Sequence, residues 1–103
     1  MTASSQVETV ACLSDIEEQL VPALAVVFDA ARASALELDE ITERSVAVPA
    51  LEAAQDAWAL YRDAQCDYAG ALFGGGSGTG IAIQSCRIEM TRARIKALSA
   101  AMR

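Results

Sequence analysis

Apolar positions along the chain recur in steps of three and four, and this pattern predicts three helices. In the first, Ile16, Leu20, Leu24, Val27, Ala31, Ala35 and Leu38 form one stripe. Ser5-x-x-Glu8 and Ser14-x-x-Glu17 each fit a capping box, in which a hydroxyl and a carboxylate satisfy the open N–H groups of a first turn. Residues 1–4 are expected to fray. Asp15, Glu17 and Glu18 suit the positive end of a helix dipole, so helix one is placed near residues 14–44. Pro22 falls inside it. A proline removes one backbone hydrogen bond and crowds the carbonyl four residues back, so a kink or break is expected near Glu18–Val21.

The pattern lapses over Asp39–Val48, which reads as the first connection. Pro49 fits the first position of helix two, placed near residues 49–73. There Leu51, Ala54, Trp58, Tyr61, Gln65, Tyr68 and Leu72 make a heptad-like seam with one polar member. Trp58 and Tyr61 are therefore expected to anchor the core. Arg62, Cys66, Ala69 and Phe73 lie on the adjacent flank and are expected to turn towards helix three. Arg62 should be held there by an acid or by helix-end carbonyls.

Helix three, near residues 80–102, carries two apolar stripes. One is Ile81, Ile88, Ile95, Leu98 and Met102; the other is Ile83, Cys86, Met90, Ala93 and Ala97. A helix apolar on two sides is sandwiched or meets another molecule, which makes a homo-oligomer through helix three one expectation. The fold class predicted is all-α, a three-helix up-down-up bundle forming one domain over residues 1–103.

Between helices two and three runs Phe73-Gly74-Gly75-Gly76-Ser77-Gly78-Thr79-Gly80-Ile81. It is not a dinucleotide fingerprint, because no strand precedes it and Ile81 stands where the last glycine belongs. It is not a P-loop, because no Gly-Lys-Ser/Thr follows. It reads as a flexible helix-to-helix turn and as a candidate partner-binding loop, with Phe73 and Ile81 as anchors. Gly76 is ten residues from Cys66 and ten from Cys86. In an antiparallel hairpin the two cysteines then face each other, so Cys66–Cys86 ranks first among pairings and Cys12–Cys86 second.

Composition narrows the chemistry. There is no histidine, which removes the usual general base and the commonest metal ligand. No cofactor or metal site is expected, and no catalytic residue is assigned. Asp63 and Asp67 stand one helical turn apart, but nothing sets a buried acid beside a solvated one. The net charge is −6 and uneven: residues 1–83 carry −10 and residues 84–103 carry +4. A cationic partner is expected, with Asp56, Asp63 and Asp67 as a steering face. The basic cluster is small and lacks interleaved aromatics, which argues against nucleic acid. No apolar run approaches a membrane span. Thr2–Glu8 does not read as a signal peptide, so the chain is either cytoplasmic or a mature exported fragment with an added Met1.

The run Trp58-x-x-Tyr61-Arg62-Asp63-Ala64-Gln65-Cys66, then a Gly-Gly loop, then Cys86, Met90-Thr91-x-x-Arg94 and Leu98, resembles the LprI-type lysozyme inhibitor family. The resemblance covers Leu51–Leu98. It implies a small, all-helical bacterial domain, periplasmic or secreted, some of whose relatives inhibit lysozyme. On that reading Trp58, Tyr61, Arg62, Asp63, Thr91 and Arg94 are structural motif residues. The chain departs from the pattern in lacking a cysteine upstream of Cys12 and in carrying Pro22. Two function classes follow: a binding protein that occludes a lysozyme cleft, and a non-enzymatic structural module of the cell envelope. A cytosolic dimer of helical hairpins is a third, weaker reading.

Overall fold

The computed structural model describes the backbone of residues 3–102 and the side chains of residues 6–102. The chain forms α1 (Ala3–Thr42), α2 (Ala47–Ala71) and α3 (Thr79–Ala101), in the order the apolar periodicity predicts. Side-chain pairs fix the directions. Gln6 meets Ser77, Ser14 meets Gln84 and Glu17 meets Arg87, so α1 and α3 run parallel. Gln55 meets Arg94, Asp63 meets Arg87 and Cys66 meets Cys86, so α2 runs antiparallel to α3. A helix of forty residues is about 60 Å long, and α1 accordingly sets the long dimension of a rod measuring 59 × 23 × 16 Å.

The expected start of α1 is corrected, since it begins at least eleven residues before Ser14, and of the kink or break expected at Pro22 no break occurs. Pro22 is on the exposed side of the helix, where water can serve the Glu18 carbonyl that the ring leaves without a donor. Ser14 lies inside α1, and its hydroxyl accepts a hydrogen bond from Gln84 Nε2 at 3.0 Å in place of capping. The backbone at Ser5 is also helical, while its side chain lies outside the described residues, as do Met1 and Thr2.

The first connection is shorter than expected, because α1 continues to Thr42 and α2 begins at Ala47. Glu43 takes a left-handed φ of 55°, the position where a helix usually ends on glycine. Arg44 N–H donates to the Asp39 carbonyl at 3.0 Å and Glu43 N–H to the Glu40 carbonyl at 3.4 Å, the pattern of a Schellman stop. The N-cap residue of α2 is Val46, which has no side chain able to cap. Asp39 supplies the missing acceptor. Its carboxylate takes the N–H groups of Val46, Ala47 and Val48 at 3.3, 2.9 and 3.0 Å. Those bonds, with Val48 first and then Ala47, hold its pKa below the ordinary value of 3.8.

The seam assigned to α2 is shifted by about one position. Val48, Cys66 and Gly70 are buried, and Leu51, Gln55, Trp58, Arg62 and Ala69 are half-buried. Tyr61, Tyr68, Leu72 and Ala54 face solvent, with Tyr61 60% and Tyr68 59% exposed. Tyr61 is therefore not a core anchor, and Trp58 is only partly one. Two stripes one residue apart share the same spacing, so periodicity alone does not choose between them. Cys66 chooses, because its bond to α3 turns that flank inward. On α3 every member of the first stripe is buried or half-buried, as are Ile83, Cys86 and Met90. Both apolar sides of α3 are thus largely met within the chain, by α1 and α2.

Candidate functional site

The motif residues gather where α2 faces α3. Trp58 lies half-buried on α2, and the Arg62 guanidinium sits 4.9 Å from its ring centroid. Arg94 approaches the same ring from α3 at 6.0 Å. The face of an indole attracts a cation, so one ring holds an arginine from each helix. Each guanidinium also has an acceptor. Arg94 Nε donates to Gln55 Oε1 at 2.9 Å, and Arg62 Nε donates to Asp63 Oδ1 at 3.0 Å. Arg87 Nη1 donates to that same Asp63 oxygen at 2.7 Å, and Arg87 Nε lies 3.9 Å from Glu17 Oε1 on α1. The Arg62 hydrogen bond, aided by the charges of Arg62 and Arg87, lowers the Asp63 pKa.

This belt ties the three helices together one turn from the Cys66–Cys86 disulfide, whose Cα atoms are 5.4 Å apart. Cys66 is 1% exposed, and its sulfur lies 3.8 Å from Met90 Sδ. Cys12 is free and exposed on α1, so the Cys12–Cys86 alternative is set aside. Arg62 is held by an acid, as expected, and Thr91 is buried beside it. Tyr61 does not join the belt.

The cleft that the belt opens onto, lined by Glu17, Leu20, Leu24, Arg62, Arg87 and Thr91, holds about 160 Å³. Small-molecule sites usually run to roughly 300–1,000 Å³, so this cleft suits packing better than a cofactor. Among the described residues no group of three or more His, Cys, Asp or Glu is placed to hold a metal ion.

The glycine-rich loop is a chain of tight turns. Phe73, Gly74, Gly76 and Thr79 each donate their N–H to the carbonyl three residues back. Gly74 and Gly75 take φ of 61° and 81°, which only glycine adopts without strain. The Phe73 ring lies against Gly78, where an added Cβ would come within 3.1 Å of it, and Phe73 is still 56% exposed. Ile81 is half-buried in the first turn of α3. Of the two expected anchors, Phe73 is the one presented to solvent. The acidic face is divided as well: Asp63 is engaged by two arginines, while Asp56 and Asp67 are exposed.

The Asp39 cap spans a turn and has no local sequence signature. Its signal is indirect: helix two starts without Ser, Thr, Asp or Asn at position 46, so the acceptor has to come from elsewhere. Gln55 and Gln84, which bridge helices, carry no local signal.

A family model described as lysozyme inhibitor LprI matches residues 1–98. A curated relative, an uncharacterized protein of Rhizobium meliloti (strain 1021), is 43% identical over 56 residues, covering 54% of this chain. The match spans 40% of that relative's length. No solved structure matches.

Proposed function

The chain belongs to the LprI lysozyme inhibitor family, and from that premise we propose that it is an exported bacterial protein that binds a lysozyme and occludes its cleft. The reading assigns it no chemistry of its own. The observation that carries it is the tip of the hairpin. Phe73 projects there, half-exposed, from a loop tied by successive backbone hydrogen bonds. Those bonds partly order a glycine-rich loop before it meets a partner and so lower the entropy lost on binding. A net charge of −6 favours encounter with a basic lysozyme. The disulfide suits an oxidising compartment outside the cytoplasm, and no helix among the described residues is long and apolar enough to cross a membrane.

The test is clearance of bacterial cell-wall suspensions by lysozyme, with and without a molar excess of this protein. Slowed clearance is expected, with Phe73→Ala requiring about tenfold more protein or higher for the same effect. No slowing of either animal-type or goose-type lysozymes, with no binding by calorimetry, would leave a structural envelope module as the better reading.

A further inference from the structure

The outward face of α2 is an unpartnered apolar surface. Leu60, Tyr61, Tyr68 and Leu72 are all exposed there, although each is large enough to have served a core. Tyr61, Tyr68 and Leu72 fall at steps of seven and four and so share one side of the helix over about 16 Å. The positions beside them, Ala57 and Ala64, are also exposed and carry no polar group. On the far shoulder stand Asp56 and Asp67. Single exposed apolar side chains are ordinary, but a contiguous set rimmed by charge marks an interaction surface. Tyrosine in particular gives large contact area at low entropic cost.

Size supports the same conclusion. A specific interface buries roughly 800 Å² on each partner. The glycine-rich tip, with one exposed phenylalanine, supplies only a fraction of that. Leu72 and Phe73 are adjacent, so the face of α2 runs without interruption into the tip and extends it.

We infer that the outward face of α2, from Leu60 to Leu72, is the main contact surface for a cationic protein, which on the family reading above is the lysozyme itself. The charge of the rim selects this occupant over a second copy of the chain. Two copies would each bring a net charge of −6 and the same carboxylates to one interface, and like charges there are unfavourable. A basic surface meets Asp56 and Asp67 while covering the tyrosines.

The experiment compares wild type, Tyr61→Ala/Tyr68→Ala and Asp56→Asn/Asp67→Asn in lysozyme titration and in sedimentation. Both tyrosines are exposed, so the double alanine variant should melt within about 4 °C of wild type. It should bind at least 30-fold more weakly. The double asparagine variant should lose much of the salt dependence of binding. Wild-type binding that the tyrosine variant leaves unchanged overturns this surface and spares the family reading. A salt dependence unchanged in the asparagine variant overturns the charged rim. Absence of any wild-type binding overturns the inhibitor reading and this surface with it. A wild-type dimer that the tyrosine variant dissociates assigns the face to self-association instead.

Discussion

The α2–α3 hairpin is joined by a covalent bond at the buried Cys66 and by Arg62 and Arg94 set over the Trp58 ring. The helices come so close at Gly70 that an added Cβ would lie 2.6 Å from Ile83 Cγ1. The helix α1 is attached differently. Among the described residues no covalent bond joins it to the hairpin: Ala31 is buried and Ile16, Leu20, Leu24, Val27 and Ala35 are half-buried along its inner stripe, and polar links run from Gln6 to Ser77, Gln84 to Ser14, Arg87 to Glu17 and Arg32 to Glu52. The two ion pairs among these links, Arg87–Glu17 and Arg32–Glu52, are partly exposed and contribute about 0–1 kcal/mol each. The covalent cross-link of this thin rod therefore lies within the hairpin, and α1 packs along it through a long half-buried stripe. The surfaces proposed for binding, the tip and the outer face of α2, both sit on that hairpin.

The largest expected effect comes from removing the staple. Closing a loop of twenty residues stabilises by about 3 kcal/mol on the chain-entropy account. Cys66→Ser/Cys86→Ser should lower the melting temperature by roughly 15 °C, read by circular dichroism. A fall of only a few degrees would show that the hairpin does not depend on its disulfide.

The link between α1 and α2 comes next. Asp39→Ala leaves the N–H groups of Val46, Ala47 and Val48 without their acceptor, so it should lower the melting temperature by less than loss of the disulfide does. The pH dependence has a definite sign. The folded pKa of Asp39 is depressed, so its stabilisation is present above the ordinary value of 3.8 and is lost as pH falls through the folded value. Asp39→Asn should therefore flatten the loss of stability on the acid side. An acid limb identical to wild type would show that the cap contributes nothing.

The smallest of these effects tests the close approach. Gly70→Ala gains about 1 kcal/mol of helix propensity but drives a methyl into Ile83. Isoleucine is stiff at χ1 in a helix, so the chain itself has to shift, at about 1–3 kcal/mol. A net loss of about 1 kcal/mol is expected in urea melts. A net gain would mean that the helices separate without cost.

Much of this was legible in the sequence. The 3.6-residue period gave the helices, the symmetry of Cys66 and Cys86 about Gly76 gave the staple, and Arg62 found its acid in Asp63. What was not legible depended on distant neighbours. Tyr61 and Tyr68 have core-like spacing, and only the orientation imposed by Cys66 turns them outward. The Ser14 capping box was a local signal overridden by α3, whose Gln84 offers the hydroxyl another partner. Asp39 acts across a turn that local capping rules do not span.

The central claim, that this rod binds a lysozyme, is tested most directly by isothermal titration calorimetry of the oxidised protein against a basic lysozyme. The measurement is made at low and at physiological ionic strength. The account expects a saturable 1:1 heat of binding that weakens as salt rises, because an acidic protein meets a basic one. No binding heat at either ionic strength, from protein with the Cys66–Cys86 bond intact, would contradict it.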